Sequence, residues 1–271
     1  MMFEKDSKSY KMLVVDMLRE IGDFLREFGC DIDKMVPPEP RCNIITGELY
    51  ITNPIFSFYT NKEKGISEED EFMCKLLMRK GTSQFFTSLA SGLVIDDEWI
   101  DNNMYYRNIM VDPVNLTFLY KYKDIIGDSY PGLPDEVRKT FKDTMIGMRD
   151  SENIQSKDIE FVSMVESLSI RNLSKEIQKF FHSVGMDADE LVKPRIFIDK
   201  ITGVMTMEPL QITFEVPSDD ESLSPDFEKV TKTLSDAGNE TNMGFESNTK
   251  MTITATRDLL KCIYKYNCLN K

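Results

Sequence analysis

Four aspartates are the residues whose type and spacing best suit chemistry. They form two Asp-x-Asp pairs, Asp31 with Asp33 and Asp187 with Asp189. Carboxylate oxygens are the ligands that Mg²⁺ prefers in proteins, so two such pairs together can hold a hard cation. Each pair also follows a glycine at the expected end of a helix, where aspartate commonly turns the chain by bonding to the backbone. Metal binding and chain turning are therefore the two roles to distinguish.

The other reactive side chains give little support to catalysis. His182 is the only histidine, which excludes most zinc sites and a Ser-His-Asp arrangement. We interpret it as a surface residue near a helix C-terminus, where positive charge is favourable. The sequence contains no glycine-rich dinucleotide loop, Walker A motif, nucleophile elbow or kinase signature. We therefore expect no catalytic residues, no cofactor and no enzymatic activity.

The cysteines indicate the compartment. Their number is odd and none has CxxC spacing, which predicts free thiols in a reducing environment. We expect the cytoplasm, or the host cytoplasm or nucleus if the protein is viral. The five cysteines are Cys30, Cys42, Cys74, Cys262 and Cys268.

Composition restricts the partners. The 271 residues carry a formal net charge of −13, and 41% of them are apolar. The densest basic stretch, Lys75–Lys80, holds only three basic residues and is preceded by four acidic residues, Glu68–Glu71. Proteins that bind duplex DNA usually present a basic stripe, so direct binding of duplex nucleic acid through phosphate contacts is not expected. No apolar run approaches the roughly 20 residues that span a bilayer, and residues 1–11 lack the apolar region of a signal peptide.

The sequence repeats itself. When residues 11–60 are aligned with residues 167–216, at an offset of 156, 12 of the 50 pairs are identical. Chance would give about three, and such repeats are sought first because they determine the fold. The identical pairs are Glu20/Glu176, Ile21/Ile177, Phe24/Phe180, Gly29/Gly185, Asp31/Asp187, Asp33/Asp189, Val36/Val192, Pro38/Pro194, Ile45/Ile201, Thr46/Thr202, Gly47/Gly203 and Phe58/Phe214.

A second block of similarity aligns residues 107–123 with 251–267, at an offset of 144. It includes a Tyr-Lys-Tyr tripeptide in both copies. Because both blocks keep the same order, the sequence predicts two tandem related domains, 1–125 and 166–271, with a connector at 126–165. A helix is expected in this connector after Pro134, which suits the first helical position.

Each copy has the pattern of an α+β domain. An amphipathic helix ending at Gly29 or Gly185 comes first. An irregular connection then leads to a hairpin closed by Thr-Gly and to a third strand, and these strands are predicted to form a three-stranded antiparallel meander. A second helix, at about 67–80 and 224–236, and a further strand complete the unit.

The repeat also assigns a role to the cysteines. Cys30 aligns with Met186, Cys42 with Ile198 and Cys262 with Phe118. A cysteine whose counterpart is apolar is expected to act as a small buried hydrophobe. We therefore predict no nucleophilic or metal-binding role for these thiols.

Two family resemblances are visible at the level of the fold. The order helix, three strands, helix and strands, with strong acidity, is similar to type III secretion chaperones, which are small acidic dimers. The stretch Asp112–Phe118 resembles a segment near the last domain of sliding DNA clamps, which are acidic chains of duplicated domains. The first resemblance implies protein binding, and the second implies a processivity or replication accessory factor.

We expect a non-enzymatic protein-binding or assembly protein: a scaffold, a chaperone-like protein, or a viral or phage structural or regulatory protein. Its partner would be another protein or a second copy of itself, which predicts a homo-oligomer. One alternative is a sliding-clamp-like accessory factor. The other is a Mg²⁺-dependent phosphoryl or nucleotide enzyme that uses the paired aspartates.

Overall fold

The structure is a computed structural model, which describes residues 10–61, 65–79, 86–87, 104–130, 132–152, 167–183, 188–215, 244–247 and 250–269. Within these residues the chain combines α-helices with short strands, and all the strand pairings are antiparallel. The predicted α+β class is confirmed. None of the helices in this part of the chain is long and apolar enough to cross a lipid bilayer.

The helices are α1 (Val14–Glu27), α2 (Glu68–Leu77), α3 (Pro113–Ser129), α4 (Asp135–Glu152), α5 (Ile170–Ser183) and α6 (Arg257–Leu269). The strands are β1 (Lys11–Leu13), β2 (Ile32–Val36), β3 (Pro40–Asn43), β4 (Leu49–Ile51), β5 (Ile55–Asn61), β6 (Phe86–Thr87), β7 (Met104–Met110), β8 (Ser167–Ser169), β9 (Ala188–Val192), β10 (Ile196–Asp199), β11 (Met205–Met207), β12 (Gln211–Glu215), β13 (Gly244–Ser247) and β14 (Lys250–Thr254).

The chain divides into two compact units, and neither is a continuous stretch of sequence. Unit 1 comprises Met1–Pro38, Asn53–Asp158 and Ile196–Thr206, and unit 2 comprises Glu39–Thr52, Ile159–Arg195 and Met207–Lys271. The four sheets have the strand orders β2-β5-β7-β6 and β1-β10-β11 in unit 1, and β13-β14-β12-β9 and β4-β3-β8 in unit 2.

Unit 1 packs its helices on one face of the four-stranded sheet. Side chains alternate along a strand, so Phe56 and Phe58 of β5 and Ile109 of β7 are fully buried on the same face. The apolar stripe of α1 meets this face, and Met17, Ile21 and Leu25 are fully buried. The helix ends as predicted, because Gly29 adopts a φ of 96°. Gly185, its counterpart, lies outside the described residues.

Unit 2 combines helices α5 and α6 with its own four-stranded sheet. Ile212 of β12 and Ile253 of β14 are opposite each other in the register and buried. The helices contact each other through Phe180 and Tyr266, whose ring centroids are 5.3 Å apart. The predicted second helix of this copy, at about 224–236, falls outside the described residues.

Each unit contains the β-hairpin from the other half of the sequence. Hairpin β10-β11 belongs to unit 1, where β10 pairs with β1. Hairpin β3-β4 belongs to unit 2, where β3 pairs with β8. The two pairings have the same register at the offset of 156, since Lys11 is opposite Asp199 and Ser167 is opposite Asn43. The domain boundaries predicted at residues 125 and 166 define domains that are continuous in sequence, so they do not account for the exchange of the hairpins.

The predicted three-stranded meander is wrong. The hairpin strands β3 and β4 pair with each other and with β8, whereas β5 pairs with β2 and β7. The segment between α1 and the hairpin was expected to be irregular, but it forms strand β2. Strand β2 pairs with β5, in the place where a strand of the hairpin was expected. Pro37 and Pro38 exclude a helix after Val36, but they leave an edge strand before them possible.

The predicted connector helix is present as α4, and it lies in unit 1. Its buried arginine, Arg149, donates Nη1 hydrogen bonds to the carbonyl oxygens of Lys75, Leu76 at 2.9 Å and Met78 at 3.3 Å. These carbonyls lie at the C-terminus of α2, where they have no partner within the helix. Arg149 is only 5% exposed, so it caps α2 in a place that water reaches poorly.

We predict that Arg149→Met lowers the free energy of unfolding by about 2–4 kcal/mol, because it leaves buried carbonyls without a donor. Urea denaturation followed by circular dichroism measures the loss. Arg19→Met is the matched control, because it removes an exposed ion pair with Asp16 that is worth at most about 1 kcal/mol. Equal losses in the two variants would contradict the capping role of Arg149.

We also predict that Gly203→Ala is more destabilising than Gly65→Ala. Both glycines have positive φ, at 70° and 74°. A Cβ at Gly203 would lie 2.6 Å from Cα of Val114, whereas nothing lies within 4 Å of a Cβ at Gly65. Gly65→Ala reports backbone strain of about 1–2 kcal/mol, and the collision adds about 1–3 kcal/mol at Gly203. Equal thermal stabilities would show that the tip of β10-β11 does not pack on α3.

Candidate functional site

The tips of the two exchanged hairpins have the same hydrogen-bonded structure. In the first, the Asn43 side chain accepts from the backbone N–H groups of Ile45 at 2.9 Å and Thr46 at 3.0 Å. In the second, Asp199 accepts from Ile201 and Thr202, both at 2.9 Å. Such side-chain bonds imitate a backbone turn and hold it rigid.

The same tips are completed by a glycine and a threonine. Gly47 and Gly203 both have a φ of 70°, and their N–H groups donate to the carbonyl oxygens four residues earlier. The hydroxyl oxygens of Thr46 and Thr202 each accept from the N–H two residues later, at 3.3 Å. The repeated Ile-Thr-Gly sequence therefore contains two residues that the turn requires.

The isoleucine of each tip points away from its core. Ile45 is 63% exposed and Ile201 is 61% exposed, among the most exposed of the large apolar side chains in the described residues. A single exposed apolar residue is ordinary on a protein surface. Here the same side chain is exposed at the same position of the same turn, once in each unit. Sequence reasoning missed this site, although both isoleucines are among the identical pairs and neither is needed for the turn.

A shallow groove in unit 1 is also apolar at its base. It has a volume of about 310 Å³ and lies between α1 and the end of β2. Gly22 of α1 makes room for Met35 to lie against the helix. The groove is lined by Val15, Leu18, Arg19, Asp23, Arg26, Met35 and Pro37. Its apolar base and charged rim suit an aliphatic side chain carried by a polar turn.

The second aspartate of each pair lies at a β-bulge. In β2 the register moves from Ile32 to Lys34, so Asp33 is the extra residue, and in β9 it moves from Ala188 to Glu190 past Asp189. Bulges and charged residues at edge strands prevent unwanted pairing. The Asp33 carboxylate accepts a hydrogen bond from the Tyr59 hydroxyl at 2.7 Å. This is a structural role that the sequence reading did not include.

The metal hypothesis receives no geometric support from the part of the chain that the structure describes. No group of three or more histidine, cysteine, aspartate or glutamate side chains is arranged to hold a metal ion there. The backbone N–H of Asp31 donates to the Asp70 carboxylate at 3.0 Å, which fixes the chain after α1. Asp187 lies outside the described residues, so magnesium binding by the four aspartates stays a prediction.

Three thiols are buried and carry raised pKa values. Burial raises the pKa of Cys42 to about 11 and that of Cys74 to about 12. Burial, followed by the nearby Asp70 carboxylate, raises the pKa of Cys30. These thiols are therefore protonated near neutral pH, which makes them poor nucleophiles and poor metal ligands. Cys42 is 2% exposed and its counterpart Ile198 is 0% exposed. Cys268 lies in the last turn of α6.

Asp70 is a buried carboxyl at the start of α2. Burial raises its pKa, while the hydrogen bond from the Ser67 hydroxyl, at 2.7 Å, lowers it. The Ser67 oxygen in turn accepts from the Asp70 N–H at 3.0 Å and caps the helix. The hydrogen bonds of Asp70 are therefore those of a residue that stabilises the start of a helix. His182 is exposed in the last turn of α5, as expected.

No protein-family model, curated protein or solved structure matches this chain.

We predict that Cys42→Val removes a loss of stability at high pH. The folded pKa of about 11 lies above the reference value of 9.0, so the folded state favours the thiol. Its stabilising contribution is complete below pH 9 and is lost as the pH rises towards 11. At pH 10.5 the wild type should have lost about 2 kcal/mol that the variant retains. Urea denaturation at pH 8 and 10.5 measures this difference, and parallel losses in both proteins would contradict it.

Proposed function

We propose that this chain is a non-enzymatic assembly protein built from one ancestral unit duplicated in tandem. The duplication is supported by the matching registers of β1-β10 and β8-β3 and by the matching turns at Asn43 and Asp199. Only 12 of 50 aligned pairs are identical, so the two copies have diverged widely.

The observation that carries the function is the exposed isoleucine that both tips keep. Thr46 and Gly47, with their counterparts, are explained by the turn. Ile45 and Ile201 contribute little to either core, because more than half of each side chain is exposed. Folding therefore does not account for their identity in two diverged copies, whereas binding does. Burying an isoleucine contributes about 1.5–3 kcal/mol, and two sites on one chain reinforce each other.

A second copy of the chain is the partner that the surfaces favour. The groove between α1 and β2 offers an apolar base formed partly by Val15 and Met35. In unit 2 the residues aligned with Val15 and Pro37 are Arg171 and Lys193, so the corresponding surface is not apolar. In this interaction a tip isoleucine of one molecule binds the unit 1 groove of another molecule, so the two partners contribute different surfaces. Such an interface is heterologous, and it builds an open filament or a closed ring depending on the rotation between successive molecules.

We predict that Ile45→Ser with Ile201→Ser weakens self-association about tenfold for each tip involved, through loss of apolar burial. Sedimentation velocity over a range of concentrations measures the association. The groove variant Val15→Asp should weaken it as well. Val137→Ser is the control, because Val137 is a 45% exposed apolar residue on α4 outside both surfaces. A wild type that stays monomeric at every concentration would contradict the proposal, and so would equal weakening by the control.

A further inference from the structure

The two hairpin tips differ in the residue that follows the glycine. The unit 1 tip, residues 201–204, ends with Val204, whereas the unit 2 tip, residues 45–48, ends with Glu48. Val204 is 57% exposed, close to the 61% of Ile201 in the same tip. The unit 1 tip therefore presents two exposed apolar side chains and no charge, whereas the unit 2 tip presents one exposed apolar side chain and a carboxylate.

The carboxylate of the unit 2 tip belongs to an ion pair with helix α6. Nη1 of Arg257 lies 3.2 Å from Oε1 of Glu48, and Nε of the same arginine donates to the carbonyl oxygen of Thr46 at 2.8 Å. Both charged side chains are more than half exposed, so water solvates the pair. An apolar surface that covered this tip would remove that water, and the attraction between the two charges would not fully compensate for it.

The unit 1 tip is held by close packing instead. Pro113 aligns with Arg257 at the offset of 144, and its ring carries no hydrogen-bond donor. Gly203 lies against the start of α3, where a Cβ would be 2.8 Å from the carbonyl oxygen of Pro113. Residues 201–204 contain no charged side chain, so covering Ile201 and Val204 desolvates no ion within the tip.

The groove of unit 1 suits an uncharged tip. Each cation on its rim already has a carboxylate partner, since Arg26 lies 3.0 Å from Asp23 and Arg19 pairs with Asp16. These pairs leave no net charge on the rim to compensate for an incoming ion pair. None of residues 201–204 lines the groove, so one molecule can present its tip and its groove at the same time.

We propose that the unit 1 tip is the main segment that docks in the unit 1 groove of a second copy, and that Val204 determines this preference. This inference rests on the self-association proposed above and specifies which tip carries most of it. One buried isoleucine strengthens an association roughly tenfold to a hundredfold, which is small beside the cost of immobilising two molecules.

A second apolar side chain in the same contact multiplies this gain. The unit 1 tip supplies that side chain as Val204, whereas the unit 2 tip has the solvated ion pair of Glu48 at the same position. The unit 2 tip keeps Ile45 and provides the weaker contact. The main interface therefore joins unit 1 of one molecule to unit 1 of the next.

Sedimentation velocity of single variants of the full chain tests the choice of tip. Ile201→Ser should weaken self-association at least about tenfold, because it removes apolar burial. Val204→Glu gives the unit 1 tip the carboxylate of the unit 2 tip and should weaken self-association at least as much. Ile45→Ser should weaken it less than about threefold. All three residues are exposed, so the thermal unfolding temperature should not change.

A mixture of two variants tests the pairing of tip with groove. Ile201→Ser keeps an intact groove, and Val15→Asp keeps an intact unit 1 tip. Because the interface is heterologous, their mixture should form a one-to-one complex that neither variant forms alone at the same total concentration. Sedimentation velocity with fluorescently labelled Val15→Asp detects this complex. The control mixture, Ile201→Ser with Val204→Glu, has two defective tips and should form none.

The possible results separate this inference from the proposed function. Equal weakening by Ile45→Ser and Ile201→Ser would overturn the choice of tip and leave self-association through both tips standing. An unchanged association of Val204→Glu would overturn the role of Val204. A complementary mixture without a complex would overturn the docking of the tip in the groove. A wild type that stays monomeric at every concentration would overturn both the inference and the proposed function.

Discussion

The structure depends on the reciprocal exchange of two β-hairpins. One strand of each hairpin pairs with a short strand from the other half of the sequence, and it contributes a buried residue to the core it joins. Ile198 is fully buried in the core of unit 1, and Cys42 is 2% exposed in the core of unit 2. Neither half of the sequence contains a complete core, so each half needs the hairpin of the other half to complete its unit. Cutting the chain between the two halves and separating them would leave apolar positions in both unfilled.

The exchange explains why the sequence predicted the parts of the fold better than their arrangement. Helical periodicity located α1 and α5, and Thr-Gly located both turns, because these signals depend on neighbours in sequence. Strand partners depend on residues far away in sequence, such as Asp199 opposite Lys11. A hairpin has the same local sequence pattern whether it packs with its own half of the sequence or with the other half. The repeat could not distinguish these two arrangements either, since both hairpins are exchanged in the same way.

The prediction of functional sites from sequence was limited in the same way, because the contacts of a side chain depend on residues far away in sequence. The Asp-x-Asp pairs were conspicuous in sequence, yet Asp33 and Asp189 coincide with β-bulges, which only the strand register reveals. The buried thiols were interpreted from the repeat, and the matched burial of Cys42 and Ile198 gives that interpretation a physical basis. Arg149 could not have been assigned, because its acceptors are more than 70 residues away.

Comparison of the two units separates what the fold requires from what it permits. Gly47 and Gly203 are the same because both have positive φ and a crowded neighbourhood, where a Cβ would lie within 3 Å of another helix. The outward sides of α1 and α5 face no such constraint, and acidic residues outnumber basic ones on α1 whereas basic residues outnumber acidic ones on α5. Ile45 and Ile201 combine features of both groups. They are exposed, like the residues on the outward sides of the helices, and they are identical, like the two glycines. The proposed role of the two tips in binding would account for this combination, because binding constrains a side chain that packing leaves free.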